Sequence, residues 1–124
     1  MNLPPTLLLV DDEASNIDLL KGILPAEFKI KIAINGERAL KTAQKEPHPD
    51  LILLDVMMPE MDGYEVCRRL KADAATAGIP IIFVSGHTSD AERAKGLALG
   101  ALAFISKPID PQQVNAAVKQ ALGA

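Results

Sequence analysis

Five polar residues with reactive or metal-binding side chains come immediately or one position after short runs of mostly apolar residues. These residues and the runs before them are Asp11 and Asp12 after 7–10, Asp55 after 51–54, Ser85 after 81–84 and Lys107 after 103–106. Apolar runs of this length are typical of strands that are buried on both faces of a parallel sheet. Open parallel sheets bind ligands at the carboxyl ends of their strands. The sequence therefore predicts three carboxylates, a hydroxyl and an ammonium group at one edge of a sheet.

The carboxylates of Asp11, Asp12 and Asp55 are the candidate metal ligands. No histidine or cysteine lies near them in the sequence, and hard oxygen donors suit Mg²⁺ with several of its waters retained. Without a cation the carboxylates would repel one another, which raises their pKa values and costs stability. A magnesium ion there would also neutralise and orient an incoming phosphoryl group.

The segments between these residues alternate between strand and helix. Residues 28–34 alternate apolar and basic side chains, which predicts a strand near the sheet edge with one exposed face. Helix starts are predicted at Ser15 or Asn16, Asn35-Gly36, Asp62-Gly63, Ser89 or Asp90, and Asp110 before Pro111. Gly100 is the predicted left-handed residue after the fourth helix. On the third helix, Arg68, Arg69 and Lys71 are predicted to point toward water.

Five strand–helix units in alternation predict an α/β fold, a doubly wound flavodoxin-like (βα)5 sheet with helices on both faces. Right-handed crossovers and the edge character of the second strand favour the strand order 2-1-3-4-5. In that order the first and third strands are neighbours, so Asp11, Asp12 and Asp55 converge. We expect residues 1–124 to form a single domain.

Composition excludes several classes of protein. The net charge of −3 and the scarcity of aromatic residues argue against direct nucleic-acid binding. No apolar run reaches membrane-spanning length, and the N-terminus does not resemble a signal peptide. The single cysteine, Cys67, fits a reducing cytoplasm and is predicted to be a buried apolar residue. The sequence therefore predicts a cytoplasmic domain without a membrane partner.

Taken one at a time, the candidate residues have ordinary explanations. Asp12 at a strand end is typical of a turn, and Lys107 alone would be a solvated surface residue. Ser85 alone could cap a loop, and His87, two residues further on, is predicted to be a loop residue. The functional interpretation rests on all of the candidates meeting at one edge.

In combination these motifs resemble the receiver domains of bacterial two-component response regulators, over essentially the whole chain. Asp11-Asp12 resembles the acidic pair of that family. Asp55, with Met58-Pro59 and Asp62-Gly63 after it, resembles the phospho-acceptor and its loop. Ser85 stands at the hydroxyl position, and Lys107-Pro108 at the lysine–proline position.

The resemblance implies that Asp55 accepts a phosphoryl group from the phosphohistidine of a sensor histidine kinase or phosphotransfer protein. It implies that Asp12, Asp55 and the backbone carbonyl of Met57 bind Mg²⁺, with Asp11 acting mainly through water. A domain of this family is a signalling switch that catalyses its own phosphorylation and dephosphorylation, rather than an enzyme acting on other substrates.

The resemblance also implies a switch. Ser85 and Lys107 would hold the phosphoryl oxygens, and Phe104 would turn inward on activation. The surface around the fourth helix, fifth strand and fifth helix would then change for a downstream output domain or protein, and a homodimer is left open. Phe104 stands where the family often has tyrosine; phenylalanine can still rotate inward, but it cannot donate a hydrogen bond. A cis peptide bond between Lys107 and Pro108 would aim the lysine inward.

Two other functions fit the same fold but match the residues less well. A magnesium-dependent phosphatase with Asp55 as nucleophile would need a second carboxylate two residues later, where Met57 stands. A flavodoxin-like cofactor binder would need a phosphate loop after the first strand, where Asp11, Asp12 and Glu13 would repel phosphate. The sequence leaves open the kinase, the stimulus, the output, the lifetime of the phosphorylated form, and whether the domain stands alone or belongs to a longer regulator.

Overall fold

A computed structural model describes residues 4–86 and 88–123 of the chain. Strands and helices alternate as follows: β1 Thr6–Val10, α1 Ala14–Ile23, β2 Lys29–Ala33, α2 Gly36–Gln44, β3 Leu51–Leu54, α3 Gly63–Ala72, β4 Ile81–Ser85, α4 Asp90–Ala98, β5 Ala103–Ser106 and α5 Pro111–Ala121. Within the described residues, no helix is both long and apolar enough to cross a bilayer.

The strands form one parallel sheet in the order β2-β1-β3-β4-β5. This order and the α/β class confirm the fold that the sequence predicts. β1 pairs with β3, with Val10 opposite Leu54, so the residues that follow these two strands leave the sheet side by side.

The sheet separates two apolar layers, and β1 shows why its sequence has no alternation. Leu8 and Val10 face the layer that holds α2 and α3, whereas Leu7 and Leu9 face the layer that holds α1 and α5. All four side chains are buried. A strand covered on both faces needs apolar residues at every position.

β2 lies at the sheet edge as predicted, but its exposure does not follow the simple alternation. Ile32 is 43% exposed, and Lys31 is only partly exposed. The Nζ atom of Lys31 donates a hydrogen bond to the Pro47 carbonyl at 2.7 Å. Because β2 lies at the edge of the sheet, each of its two faces is only partly covered.

Most of the predicted helix starts are confirmed by cap hydrogen bonds. The side chains of Asn35, Asp62, Ser89 and Asp110 each accept a hydrogen bond from a backbone N–H in the first turn of α2, α3, α4 and α5. Gly100 follows α4 with a φ of 104°, as predicted.

The predicted start of α1 at Ser15 or Asn16 is wrong. The helix begins at Ala14, after Glu13 at the N-cap position, and Glu13 makes no side-chain cap bond. Instead, the Asp11 carboxylate accepts a hydrogen bond from the Glu13 N–H at 2.9 Å. Asp11 therefore orders the turn that leads into α1, which lets the helix begin earlier than the capping residues suggest.

The predicted orientation of Lys71 toward water is also wrong. Its Nζ atom donates hydrogen bonds to the carbonyls of Ala77 and Ile79, at 3.1 and 3.0 Å. The loop between α3 and β4 curls back over the end of α3, and Thr76 in that loop is fully buried. Lys71 thus supplies a hydrogen-bond donor to two carbonyl groups of this loop.

Glu60, in the loop between β3 and α3, has a φ of 70°. A residue with a Cβ atom pays roughly 1–2 kcal/mol in this left-handed region. We expect Glu60→Gly to raise the free energy of unfolding by about 0.5–1 kcal/mol, because part of the gain is offset by the greater freedom of glycine in the unfolded chain. Urea denaturation followed by circular dichroism measures this change.

The matched control is Glu27→Gly, at an exposed glutamate in a turn before β2 where φ is not positive. This variant should be no more stable than the parent chain. Equal effects of the two substitutions would show that the Glu60 backbone carries no strain.

Candidate functional site

Hydrogen bonds that continue the strand ladders hold the candidate residues at the carboxyl edge of the sheet. The Asp55 N–H donates to the Val10 carbonyl at 2.9 Å, and the Lys107 N–H donates to the Ser85 carbonyl at 2.9 Å. Their backbones are therefore fixed by the sheet rather than by loops. Side chains on such a rigid frame lose little freedom when they bind a ligand.

The structure brings together the three carboxylates. Ligand-capable oxygen atoms of Asp11, Asp12 and Asp55 all lie within 4.8 Å of one another. Asp11 and Asp55 are buried, with 3% and 4% of their surfaces exposed, whereas Asp12 is exposed. Two buried carboxylates and one that faces water form an oxygen-rich corner that is open on one side. This donor set fits a hard divalent cation that keeps some of its waters.

Lys107 supplies the positive charge at this corner. Its Nζ atom lies 3.0 Å from Oδ2 of Asp11 and 3.6 Å from Oδ1 of Asp55. The ammonium group therefore lies between both acids and closer to Asp11. The cis peptide bond predicted between Lys107 and Pro108 is present.

The pKa of Asp55 is raised to about 6, first because burial removes water from the carboxylate and second because the charge of Asp11 repels it. The Lys107 ammonium and backbone hydrogen bonds from Met57 and Val56 act in the opposite direction. The sequence predicted a raised pKa from repulsion between carboxylates, but loss of water around Asp55 is the larger cause. Asp55 is still mostly ionised at neutral pH.

Gly63 sets the distance between α3 and the Asp55 backbone, a role that the motif alone did not show. Its N–H donates to the Val56 carbonyl at 2.8 Å. A Cβ atom at position 63 would lie 2.1 Å from the Asp55 carbonyl oxygen. No side chain fits there, so α3 begins in direct contact with the backbone of Asp55.

Ser85 and Phe104 lie deeper than Asp12. Ser85 ends β4 and is fully buried, and Phe104 on β5 is 6% exposed. The Phe104 ring packs on Phe83, with 5.8 Å between the ring centroids. Phe104 is therefore already inward in this structure, and its expected movement on activation stays a prediction. His87, expected in the loop after Ser85, lies outside the described residues.

Sequence reasoning missed three side chains that join α4 to its surroundings, Tyr64, Glu92 and Arg93. The Tyr64 hydroxyl donates to Glu92, and the Arg93 guanidinium donates to β5. The one available signal was the position of Tyr64, the only tyrosine of the chain, directly after Asp62-Gly63.

Asp55→Asn should stabilise the metal-free protein at pH 7. Because the pKa of Asp55 rises from 3.8 when unfolded to about 6 when folded, the folded state binds more protons between these values. The contribution of Asp55 to the free energy of unfolding therefore falls as the pH rises from about 4 to about 6. At pH 7 the full destabilising effect of the buried carboxylate is present. We expect a gain on the order of 1–3 kcal/mol in EDTA at pH 7. Urea denaturation at a series of pH values measures it.

This gain should shrink as the pH is lowered toward 4, where the wild-type carboxyl group is neutral. Asp18→Asn, on the exposed face of α1, is the control and should show no such pH dependence. A gain at Asp55 that is constant from pH 4 to pH 7 would contradict a buried, titrating carboxylate.

Comparison with known proteins agrees with this site. Residues 7–119 match the family described as response regulator receiver domain. The chain is 43% identical over 114 residues to the response regulator PleD of Caulobacter vibrioides, covering 91% of this chain and 25% of that protein. It is 41% identical over 117 residues to the transcriptional regulatory protein PhoP of Bacillus subtilis, covering 94% of this chain and 48% of that protein.

A solved structure of a putative response regulator from Chloroflexus aurantiacus superimposes with a TM-score of 0.90 at 32% identity, covering 98% of this chain and 99% of that one. By contrast, the chain spans about a quarter of PleD and about half of PhoP. The match to the family nevertheless extends over most of the chain, and it includes every strand end described above. The chain therefore belongs to the receiver domains of two-component response regulators.

Proposed function

We propose that Asp55 is the phospho-acceptor of this receiver domain. The observation that carries the proposal is the position of the Asp55 carboxylate, buried at the end of β3 between the acids that follow β1 and the Lys107 ammonium. The sheet fixes the carboxylate, which favours the in-line geometry that phosphoryl transfer requires.

In the proposed reaction, a carboxylate oxygen of Asp55 attacks the phosphorus atom of a phosphohistidine. An O–P bond forms, the N–P bond breaks, and the imidazole leaves and takes up a proton from water. The donor is a sensor histidine kinase or a phosphotransfer protein. A pKa near 6 leaves Asp55 mostly ionised at neutral pH, and so able to attack.

We propose that Asp12, Asp55 and the Met57 backbone carbonyl hold Mg²⁺. Both oxygens of Asp11 are already engaged, because Oδ1 accepts from the Glu13 N–H and Oδ2 accepts from Lys107. The carboxylate of Asp12, by contrast, is exposed to water. This difference supports direct binding by Asp12 and action through water by Asp11. When bound, the ion would supply charge neutralisation for the transferring phosphoryl group.

We propose that Lys107 and Ser85 receive the phosphoryl oxygens once Asp55 is modified. The phosphoryl group adds negative charge and acceptor oxygens at the place where the Lys107 ammonium already lies 3.6 Å from Asp55. Lys107 would then shift from Asp11 toward the phosphoryl group, and the ends of β4 and β5 would follow. The surface formed by α4, β5 and α5 would change for an output domain or protein, which could include a second copy of the chain.

The acceptor can be identified by incubating the protein with acetyl phosphate and Mg²⁺ and measuring intact mass. The wild-type chain should gain the mass of one phosphoryl group, and hydroxylamine should remove it, as expected for an acyl phosphate. Asp55→Asn should gain none, because the amide keeps the shape of the side chain but is not nucleophilic. EDTA should prevent the labelling of the wild type.

Asp18→Asn is the matched control and should be labelled like the wild type. Labelling of Asp55→Asn to the same extent would place the acceptor elsewhere. Rapid release of phosphate from many phosphomonoesters would instead favour the phosphatase interpretation.

Magnesium should raise the melting temperature of the unphosphorylated protein, because only the folded state gathers the carboxylates. A concentration of roughly ten dissociation constants adds about 1.4 kcal/mol to the free energy of unfolding. Asp12→Asn should remove most of this effect, and Asp11→Asn should remove less of it. Differential scanning calorimetry with and without MgCl₂ measures the shifts.

Asp18→Asn serves again as the control and should keep the full shift. The proposed ligand set would be wrong if Asp12→Asn responded to magnesium like the wild type. It would also be wrong if the shift depended on Asp11 more than on Asp12.

A further inference from the structure

Helix α4 has unusually little side-chain anchorage in the core. Among its residues only Gly96 is buried, whereas α5 buries Val114 and Val118. The largest apolar side chain of α4, Leu97, is 50% exposed. An apolar contact that involves a glycine gives the helix close approach but little side-chain burial to hold it.

The close approach of α4 is made against two aromatic rings. A Cβ atom at Gly96 would lie 3.0 Å from ring carbons of both Phe83 and Phe104. The backbone of the helix therefore lies directly on these rings. Since few side chains interlock with the core, polar contacts must carry a larger share of the attachment of α4.

Tyr64 makes the first of these polar contacts. Its ring is buried in the first turn of α3 and packs edge-on against Phe83, with 5.4 Å between centroids. Its hydroxyl donates to the Glu92 carbonyl at 3.1 Å and also to the Glu92 carboxylate. The Lys95 Nζ atom lies 4.5 Å from the centroid of the Tyr64 ring. One side chain of α3 thus contacts two successive turns of α4.

Arg93 makes the second polar contact, with β5. Its Nη1 atom donates to the Phe104 carbonyl at 3.2 Å, and its Nη2 atom donates to the Ser106 hydroxyl at 2.5 Å. The guanidinium carbon lies 5.7 Å from the centroid of the Phe104 ring. Arg93 therefore joins α4 to the edge strand β5 and covers the inward Phe104.

Tyr64 directly follows Gly63, the residue of α3 that contacts the backbone of Asp55. Gly63 touches the backbone of Asp55 so closely that no Cβ atom fits between them. Tyr64, the next residue, donates a hydrogen bond to Glu92. A displacement of the Asp55 backbone would therefore reach Tyr64 through Gly63, without passing through Ser85, Lys107 or Phe104.

We propose that Tyr64 and Arg93 are positioning residues that hold α4 in place, and that Tyr64 ties this position to the Asp55 backbone through the first turn of α3. The holding role concerns the unmodified protein and stands on its own. The tie to Asp55 as a route for the signal rests on the proposed function.

Native-state hydrogen exchange measured by NMR on the full, unphosphorylated chain tests the holding role. Tyr64→Phe keeps the ring and removes the hydroxyl, and Arg93→Met keeps an unbranched stem and removes the donors. Because hydrogen bonds with charged partners are the stronger ones, each variant should speed exchange of the amides of residues 94–98 by about tenfold. Amides of β1 and β3 should change much less.

Arg68→Met is the matched control, because Arg68 lies on the exposed face of α3 and pairs with Glu65. It should leave exchange in α4 unchanged. The holding role is overturned if Tyr64→Phe and Arg93→Met resemble this control, or if exchange rises equally in α4, β1 and β3, which would indicate a general loss of stability.

Beryllofluoride with Mg²⁺, a mimic of the phosphoryl group, tests the tie to Asp55. In the wild type the backbone amide shifts of Val56, Ser85 and the α4 residues should all change. In Tyr64→Phe the changes at Val56 and Ser85 should persist, whereas those in α4 should fall to about half or less. A purely structural role would alter the starting spectrum but not this response.

If the shift changes of the α4 amides in Tyr64→Phe were as large as in the wild type, the proposed connection from Asp55 to α4 through α3 would be overturned. An absence of changes at Val56 and Ser85 in the wild type would count against the proposed acceptor itself, and the tie would fall with it. The hydrogen exchange result would still decide the holding role, so the two failures are distinguishable.

Discussion

The structure depends on the burial of negative charge at the end of a parallel sheet. Asp11 and Asp55 are almost fully covered, and a buried carboxylate is costly unless cations or hydrogen-bond donors compensate it. Lys107 reaches both acids from β5, and the Glu13 N–H binds Asp11. The compensation is incomplete, since the pKa of Asp55 remains raised. The folded chain therefore keeps a site that is ready for further positive charge or for a reaction that changes the charge of Asp55.

The sequence predicted the fold and the meeting of the acids because the signals are local and the geometry is restrictive. Runs such as Leu51–Leu54 are apolar at every position, which only a doubly covered strand requires. Once strands alternate with helices, right-handed crossovers leave few orders, and the neighbours β1 and β3 follow from them. The polar residue after each run is then placed at the same edge without knowledge of any side-chain contact.

What could not be predicted depends on contacts between distant segments. The early start of α1 comes from the Asp11 carboxylate, which was assigned only to the metal site. Lys71 turns back because the following loop presents the carbonyls of Ala77 and Ile79. A residue-type preference places a lysine in water, and only the folded path of the loop shows otherwise. The roles of Tyr64 and Arg93 were missed for the same reason, because their partners lie 28 and 11 or 13 positions away.

The sparse core contribution of α4 has a consequence for how such a domain can diverge. A helix that contributes a glycine to the interior places few demands on its outward residues, and Ala91, Ala94 and Leu97 are all exposed. If α4 contacts an output partner as proposed, substitutions at these positions would alter recognition at little cost in folding, while the acids and lysine at the strand ends remain unchanged. Duplicated copies of the domain could thus share one chemistry and still acquire separate partners, which would limit crosstalk between parallel signalling pathways in one cell.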